Sequence, residues 1–427
     1  MKESVINLLT IQEAEQFLIT RRKLGIKPGL ERLDYLLSMV GNPEQKIRSI
    51  HIAGTNGKGS TLTFIKQVLI EAGYRVGSFT SPGLPTIYHH MAINHTNISP
   101  TEFAELLTSI QQVIEEMDKK DMSPSEYEIL MVITWLYLYK HVDIAVIETC
   151  MGGLYDVTNR IQPILTVITT IDYDHVDFLG NTLADIASHK AGIIKKNIPV
   201  IVGNIDKEAI DVIKEQAMEL DAPLYQLHND YHISRMEDAT KKFVYTDEKT
   251  TIPFEISING HYQMENAANA MKVVQLLQDL AYKIDDQSIK KGFLHAKIPN
   301  RCEVVSKQPF ILLDGAHNNQ SIDNLIKTIK DHWPHYSIRF VFSCFKDKEI
   351  EGMYEKLAEV GKVTVTSFSH PRAINQLDIS EDWHYCSSFK KALHIGMEQT
   401  TDNDLLVITG SLHFVDRVRE YIKQNLK

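Results

Sequence analysis

The amino-acid sequence predicts a two-domain α/β protein, and three observations lead to that fold class. A short apolar segment at residues 49–53 runs into a glycine-rich turn and then into a helical pattern, which is the order strand, loop, helix. Apolar strands alternate with amphipathic helices along the chain, and such alternation favours mostly parallel sheets. The length of 427 residues exceeds the usual size of a single domain.

The predicted domain boundary lies near residues 297–300, where a proline-containing turn precedes a fresh start of the strand–helix alternation. The larger predicted domain, residues 1–297, has a mostly parallel sheet. Within it, residues 225–258 change to short strands with polar turns, which predicts a small antiparallel insert. The smaller predicted domain, residues 298–427, is a second mostly parallel α/β domain.

Composition narrows the class of protein. The chain is 43% hydrophobic and 23% charged, as is typical of globular proteins, and its net charge of −10 disfavours broad nucleic-acid binding. We find neither an apolar run of membrane-spanning length nor a signal pattern at Met1-Lys2-Glu3-Ser4, so we expect a cytoplasmic protein. The four cysteines are scattered without the spacing of metal ligands and are expected to be reduced thiols.

The glycine-rich turn has the features of a phosphate-binding loop. Glycines let backbone N–H groups approach an anion, a lysine neutralises it, and the following helix adds partial positive charge. The sequence therefore predicts a phosphate-loop ATPase-like domain in which these residues hold a nucleotide: Gly54, Thr55, Asn56, Gly57, Lys58, Gly59 and Ser60. The alternative is a glycine turn that only joins the strand to the helix, which the lysine and the helix make less favourable.

Polar side chains follow several predicted strands. Ser81 lies just beyond a strand that begins at residue 75, Glu148 ends the strand at residues 142–148, and Asp174-His175 follow the strand at residues 164–171. The carboxyl ends of parallel strands share one edge of a sheet, and phosphate-loop enzymes hold Mg²⁺ there with a carboxylate. Taken singly, Ser81 is an ordinary turn residue and His175 an ordinary packed or surface histidine, but together the strand-end residues favour a metal or acid–base position.

Lys190 is ambiguous from the residues alone. It lies near the end of a predicted helix that is closed by Gly192. A lysine in the last turn of a helix interacts favourably with the helix dipole, so a purely structural role explains it.

Five ordered motifs together resemble the folylpolyglutamate synthase/dihydrofolate synthase branch of the Mur ligase superfamily. They occupy residues 27–32, 53–60, 174–175, 190–195 and 314–318. The resemblance extends from about residue 24 to residue 415, nearly the whole chain. It implies an ATP-binding domain of the central Mur-ligase type over residues 1–297 and a Rossmann-like glutamate ligase domain over residues 298–427.

The resemblance implies an ATP-dependent amide ligase. In that family the carboxylate of dihydropteroate or of a folate takes the γ-phosphoryl group of ATP, and the amino group of L-glutamate attacks the resulting acyl phosphate. The implied cofactors are ATP and Mg²⁺ at two sites. The implied partners are these small molecules, with no nucleic acid and no membrane, and the expected state is a monomer.

The resemblance also assigns residues. Magnesium is assigned to Ser81, Glu148 and His175, and Lys190 matches a lysine that is carbamylated in the family and helps to hold the second ion. Further nucleotide contacts are assigned to Asn266, Arg301 and Asp314. The catalytic set is Lys58, His175, Lys190, Asp314 and His317, the last two also lying where glutamate is handled. The acid substrate is assigned to Lys27, Pro28, Gly29, Ser125, Glu126, Tyr127, Glu128, Tyr155, Asp156 and Val157.

Departures from the family pattern cluster on the side of the acid substrate. Gly83 stands where a histidine is usual, residues 89–91 replace an expected Glu-Arg-Ile, residues 152–159 lack an arginine, Tyr262 replaces a histidine and Cys302 a phenylalanine. They leave open a ligase of the same architecture that joins another acid and amine. A nucleotide-binding scaffold without turnover is the third reading, and the persistence of the lysine and metal-site residues speaks against it.

Overall fold

A computed structural model of the protein describes residues 8–25, 27, 29–236 and 241–425. The chain divides into two compact units. The first comprises Met1–His232, Tyr245–Thr250 and Asn266–Phe293, and the second comprises Ile233–Val244, Thr251–Glu265 and Leu294–Lys427. The boundary at residues 297 and 298 stays a prediction.

An eight-stranded sheet forms the centre of the first unit. Its strands are β1 (Ser49–Ala53), β2 (Val76–Phe79), β3 (Met91–Ile93), β4 (Thr96–Asn97), β5 (Ile144–Glu148), β6 (Leu165–Ile168), β7 (Val200–Val202) and β8 (Leu224–Gln226). The strand order is β4-β3-β2-β5-β1-β6-β7-β8. The β2–β3 and β3–β4 pairs are antiparallel and the other pairs are parallel. The ends of β1, β2, β5 and β6 therefore meet at one edge.

Helices α1 to α8 lie between residues 11 and 219, among the strands of this sheet, and two more follow. They are α1 (Ile11–Arg22), α2 (Glu31–Met39), α3 (Lys58–Glu71), α4 (Pro100–Asp118), α5 (Glu126–Leu138), α6 (Val176–Leu179), α7 (Leu183–Ala191) and α8 (Lys207–Glu219), followed by α9 (His261–Asp279) and α10 (Asp286–His295). Capping boxes at Ser99 and Ser125 fix the starts of α4 and α5, because each serine accepts a backbone N–H of the first turn.

Two apolar clusters cover the sheet. One brings together α1, α2, α4 and α5 around Leu33, Phe103 and Trp135, and the other brings α7 and α8 against β7 around Ile186 and Ile213. All five residues of β1 and of β5 are buried. Continuous burial is the signature of a parallel strand with helices on both faces.

A three-stranded sheet follows, in the order β11-β10-β9, with β9 (Tyr231–Arg235), β10 (Lys242–Asp247) and β11 (Thr251–Glu255). The short connection between β10 and β11 requires these two strands to run antiparallel, since a parallel pair needs a long crossover. This sheet lies where the sequence predicts the small insert.

A six-stranded sheet with the order β12-β13-β17-β14-β15-β16 lies in the second unit. Its strands are β12 (Glu303–Lys307), β13 (Phe310–Leu313), β14 (Ser337–Phe342), β15 (Gly361–Thr366), β16 (Tyr385–Cys386) and β17 (Asp404–Thr409). Only the edge pair β12–β13 is antiparallel. The accompanying helices are α11 (Asn319–His332), α12 (Ile350–Ala358), α13 (Phe389–Glu398) and α14 (Leu412–Asn425).

The predicted α/β class is confirmed: a large, mostly parallel sheet forms in the first part of the chain, and a smaller sheet with its own helices forms separately. Within the described ranges, no helix has both the length and the apolar character needed to cross a bilayer.

Candidate active site

The phosphate loop lies between β1 and α3, as predicted from the sequence. Its glycines are required for two reasons. Gly54 has φ +150° and Gly57 has φ +85°, which side-chain-bearing residues rarely adopt. A Cβ atom at Gly54 would overlap the Thr169 side chain, and one at Gly57 would overlap the Asn266 side chain. The loop therefore packs closely against both threonine and asparagine.

Backbone and threonine hydrogen bonds hold the loop against the segment that follows β6. Thr55 N donates to Thr170 O at 2.9 Å, and Asn56 N donates to Thr170 Oγ1 at 2.9 Å. Thr169 Oγ1 in turn donates to Asn56 O at 2.6 Å. Helix α3 begins at Lys58 without a side-chain cap, so the helix start presents backbone N–H groups suited to an anion.

Lys58 lies over this loop. Its Nζ donates to Gly54 O at 2.9 Å and to Thr55 O at 3.2 Å, and it lies 3.9 Å from Glu148 Oε1. Glu148 ends β5, which pairs with β1, and its side chain is 6% exposed. The fold thus places the lysine and the strand-end carboxylate together, as the sequence predicts.

Ser81 lies beyond the end of β2, on the other side of β5. Its Oγ is 3.4 Å from the carbonyl of Thr149, the residue after Glu148. A hydroxyl and a carboxylate are hard oxygen donors of the kind Mg²⁺ prefers. Across the described ranges, no cluster of three or more His, Cys, Asp or Glu side chains has the geometry of a metal site. The donors present fit Mg²⁺, which is commonly held by one or two protein oxygens together with phosphate oxygens and water.

His175 follows β6 and opens the short helix α6 with φ +52°. Its Nε2 lies 3.9 Å from Asp174 Oδ2, and its side chain is 39% exposed. The position beside the carboxyl end of β6 is the one predicted. Its assignment to a metal stays a prediction.

Lys190 is deeply buried in α7, with 3% of its surface exposed. Burial, and after it the positive charge of Lys58, lower the pKa of its ammonium group to about 7, while the charges of Asp174 and Asp156 oppose the shift. These interactions put Lys190 in the electrostatic neighbourhood of the phosphate-loop lysine. A lysine that only complements a helix dipole is normally exposed, so the burial of Lys190 favours a further role, and its assignment to a metal stays a prediction.

Asp156 holds its own loop together. Oδ2 accepts Met151 N at 2.6 Å, and Oδ1 accepts the backbone N and the hydroxyl of Thr158 at 3.0 and 2.6 Å. Burial raises the pKa of this carboxyl group. Neighbouring Tyr155 is 63% exposed and lies edge-on to the ring of His189, while Val157 packs at the side of the apolar core. Their substrate-binding role stays a prediction.

The predicted substrate residues around α5 carry clear structural roles. Ser125 caps the helix, Glu126 forms two hydrogen bonds with Arg22 at 2.7 and 2.9 Å, and Glu128 lies 3.2 Å from Arg32 Nε. Tyr127 packs edge-on against His90. Both carboxylates are paired with arginines that precede α5 in the chain, and their substrate-binding role stays a prediction.

The remaining substrate candidates lie before α2. Lys27 Nζ donates to Ser123 O at 3.0 Å, and Gly29 O accepts from Arg32 Nη2 at 3.3 Å. Pro28, also predicted here, lies outside the described residues. Lys27 therefore ties this turn to the loop that precedes α5.

In the second unit, Asp314 follows β13 and is 2% exposed. Its Oδ2 accepts Cys302 N at 2.8 Å and the Tyr262 hydroxyl at 3.2 Å, and its Oδ1 accepts Ala316 N at 2.9 Å. Burial and the nearby carboxylate raise the pKa of Tyr262 well above its usual value. Tyr262 and Cys302, noted only as departures from the family pattern, thus fix the orientation of a predicted nucleotide contact.

Arg301 and His317 flank the same turn. Arg301 Nη1 lies 3.4 Å from Gly315 O, and His317 Nδ1 lies 2.8 Å from that same carbonyl. Asn266, the other predicted nucleotide contact, lies beside Gly57 in the part of α9 that belongs to the first unit.

Sequence reasoning did not assign three groups that hold the site. Thr169 and Thr170 fix the phosphate loop. Two consecutive threonines after a strand give no specific sequence signal of that role. His90, buried beside Ser81, was noted as a departure without a role. His51, buried in the middle of β1, was not singled out at all.

Two Mur ligase domain descriptions match the chain. Residues 52–274 match the Mur ligase middle domain, and residues 300–412 match the glutamate ligase domain of Mur ligases. The chain is 36% identical over 430 residues to the dihydrofolate synthase/folylpolyglutamate synthase of Bacillus subtilis, covering 96% of this chain and 99% of that protein. It is 30% identical to the folylpolyglutamate synthase of Lacticaseibacillus casei, covering 91% and 93%.

Solved structures agree with these sequence matches. The apo form of L. casei FPGS superposes with a TM-score of 0.87 at 28% identity, covering 97% of this chain and all 100% of that one. Mycobacterium tuberculosis folylpolyglutamate synthase complexed with ADP gives a TM-score of 0.89 at 26% identity, covering 96% and 98%. An FPGS–AMPPCP–folate complex gives 0.87 at 28% identity, covering 97% and 100%.

Proposed function

Because the chain belongs to the Mur ligase family, in the branch of folylpolyglutamate and dihydrofolate synthases, it is an ATP-dependent acid–amino-acid ligase, and we propose the following assignment of substrates and residues. The acid is a folate, or dihydropteroate, and the amine is L-glutamate. The observation that carries the proposal is the phosphate loop with Lys58 and Glu148 at adjacent strand ends.

The reaction has two steps, phosphoryl transfer and then amide formation. A carboxylate oxygen of the folate attacks the γ-phosphorus of ATP, and the bond to the β-phosphate oxygen breaks to release ADP. The amino group of glutamate then attacks the acyl carbon, the amine loses a proton, and inorganic phosphate leaves with the oxygen that came from the carboxylate. Such phosphoryl transfer needs positioning and charge neutralisation more than covalent help from the protein.

The phosphate loop supplies the positioning. Its N–H groups and the start of α3 hold the phosphates, and Lys58 neutralises charge that develops on the transferred group. Because Thr169 and Thr170 fix the loop beforehand, little reorganisation is needed on binding.

Magnesium, when bound, neutralises phosphate charge and orients the triphosphate. Ser81, Glu148 and His175 would hold it. Lys190 supports the second site because a buried amine whose pKa falls to about 7 is partly neutral at cellular pH. A neutral amine adds to carbon dioxide with loss of a proton, and the carbamate so formed is an oxygen ligand on a residue that is otherwise a cation.

Asn266, Arg301 and Asp314 are proposed to contact the nucleotide, with Asp314 and His317 also serving the incoming glutamate. The supporting observation for Asp314 is its fixed orientation among Cys302, Ala316 and Tyr262. Lys27, Pro28 and Gly29, residues 125–128 and residues 155–157 stay the proposed substrate contacts. A monomer is the proposed state. Because ATP is the cosubstrate, the cytoplasm is the proposed location.

A substrate panel tests the function. Purified protein is incubated with MgATP, L-glutamate and one of dihydropteroate, tetrahydrofolate or a one-carbon derivative of tetrahydrofolate, and products are read by mass. We expect the mass of one added glutamate, with repeated turnover of ATP to ADP only when both acid and amine are present. ATP turnover that none of these acids accelerates, with no folate product, would instead favour a ligase for another acid, the alternative that Gly83 and the altered residues 152–159 leave open.

A further inference from the structure

His90 is a buried titratable group that the proposed chemistry does not use, and it lies in the loop that carries Ser81. We propose that His90 is a positioning residue for Ser81, clamping the backbone on both sides of this serine so that its hydroxyl meets the end of β5. The proposal rests on the proposed function, in which Ser81 contributes to the magnesium site.

Hydrogen bonds define the clamp. The His90 Nδ1 lies 2.8 Å from Thr80 O, and the Gly83 N–H donates to Nε2 at 3.3 Å. A carbonyl only accepts and a backbone N–H only donates, so the ring is the neutral tautomer with its hydrogen on Nδ1. One imidazole therefore bonds to the residue before Ser81 and to the second residue after it.

Packing fixes the ring in that position. His90 is 6% exposed and stacks on Phe79, the last residue of β2, with ring centroids 5.5 Å apart and planes 13° apart. Tyr127 of α5 meets it edge-on at 5.7 Å. The ring cannot shift without disturbing the strand end or α5.

Gly83 completes the fit. A Cβ atom at this position would overlap the ring of His90. The backbone at residue 83 thus approaches the imidazole as closely as only glycine allows, which is what the hydrogen bond from its N–H requires. The pairing of a glycine at 83 with a histidine at 90 is one structural device.

The backbone closes the loop as well. Thr80 N donates to His90 O at 2.8 Å, and Ser81 Oγ lies 3.4 Å from Thr149 O, next to Glu148. Removing the ring would leave Thr80 O and Gly83 N without their ring partners and would free the backbone that carries Ser81. The expected consequence is weaker metal binding, with the phosphate loop itself unchanged.

The experiment compares His90→Ala with His89→Ala. His89 belongs to the same short 3-10 helix, Ile87–His90, but its ring bonds Thr86 Oγ1 and not the backbone on either side of Ser81. Mn²⁺ affinity is measured by electron paramagnetic resonance with the non-hydrolysable analogue AMPPCP. We expect His90→Ala to weaken Mn²⁺ binding about tenfold, the size of effect found when groups behind metal ligands are removed, and His89→Ala to leave it unchanged. His90→Asn, which keeps a donor for Thr80 O, should recover part of the loss.

Equal Mn²⁺ affinity in His90→Ala and the wild type would overturn the proposal. If His90→Ala does not fold, nitrogen-15 NMR of the histidine rings in the wild type decides: a proton on Nδ1 of His90 supports the clamp, and a proton on Nε2 overturns it. Failure of the proposed function is distinguishable, because it appears as the lack of any folate product from a wild type that shows the clamp.

Discussion

Two loops at the same edge of the large sheet, one after β1 and one after β2, are held in different ways. The phosphate loop after β1 is fixed by its own backbone: Thr55 and Asn56 bond the segment after β6, and glycines permit the close approach. In the loop after β2 that carries Ser81, one buried side chain, the ring of His90, bonds Thr80 O and Gly83 N and adds to the backbone hydrogen bond from Thr80 N to His90 O.

The difference bears on what each loop does. A triphosphate is bound by many N–H groups in parallel, so the backbone of the phosphate loop must itself be the binding surface. A metal ligand is one oxygen atom, so a single clamp behind it is sufficient. We therefore expect substitutions in the first loop to affect nucleotide handling and substitutions in the second to affect the metal.

Removing the phosphate-loop cation should have the largest effect. We expect Lys58→Ala to lower kcat by roughly a hundred- to a thousandfold, because a charge aimed at the transferred phosphoryl group contributes that much. Lys207→Ala is the matched control, since Lys207 is also the first residue of a helix but is exposed. A Lys58→Ala protein with near-normal turnover would show that the triphosphate binds elsewhere.

Lys190 belongs to neither of the two loops, yet the positive charge of Lys58 lowers its pKa, so it tests whether a residue outside both loops serves the metal. Lys190→Ala should lower kcat about a hundredfold if a carbamate there holds metal, by analogy with the loss of a ligand's support. Short carboxylic acids should then restore part of the activity. Absence of rescue at every concentration would leave the lysine with a structural role.

Substituting two glycines with nearly the same φ separates the effect of backbone strain from the effect of a clash between side chains. Gly57 and Gly73 have φ +85° and +88°, but a Cβ atom at Gly73 meets nothing within 4 Å. Gly73→Ala should cost about 1–2 kcal/mol from backbone strain alone. Gly57→Ala should cost more, because it also displaces Asn266, and should raise KM for ATP. Urea unfolding and ATP titration measure the two effects; equal values for both variants would contradict the packing argument.

The last prediction concerns β1, the strand that leads into the phosphate loop. Burial lowers the pKa of His51 from 6.5 to about 3. As pH falls below 6.5, the unfolded chain binds a proton at residue 51 that the folded chain refuses until about pH 3, so stability falls with falling pH across that window. The slope is up to about 1.4 kcal/mol per pH unit.

His51→Gln keeps a donor for Thr158, which lies 2.7 Å from the imidazole Nε2, and removes the titration. The acid sensitivity of the free energy of unfolding should become shallower in this variant. The exposed His95→Gln, in the turn between β3 and β4, serves as the control and should not change the slope. If the pH dependence of the free energy of unfolding is unchanged in His51→Gln, the imidazole of His51 takes up its proton over the same pH range in the folded and the unfolded chain, which would contradict the lowered pKa.

Much of the fold could be predicted because its signals are local. The strand predicted at residues 142–148 contains β5, Ile144–Glu148, and ends on Glu148 as expected, because continuous apolar runs mark buried parallel strands. The edge strand β12 was not predicted. Its residues are half-buried and pair with β13 through an irregular register, so they carry no clean alternation.

The site divides in the same way. The glycines and the lysine of the phosphate loop and the carboxylate at a strand end can be predicted from sequence, because binding a phosphate or a metal ion requires these residue types. His90, Thr169 and Tyr262 act through neighbours that are remote in sequence or on another element, so nothing in their local sequence distinguishes them from ordinary packed residues. The fold was needed to bring Gly83 and His90 into contact.

The most direct test of the account follows the oxygen atoms. A folate substrate whose reacting carboxylate carries oxygen-18 is turned over with MgATP and L-glutamate, and the released phosphate is examined by mass. Activation of the carboxylate by the γ-phosphoryl group predicts that one labelled oxygen passes into inorganic phosphate for each glutamate added. Product formation with unlabelled phosphate would contradict the acyl phosphate and, with it, the role assigned to the phosphate loop.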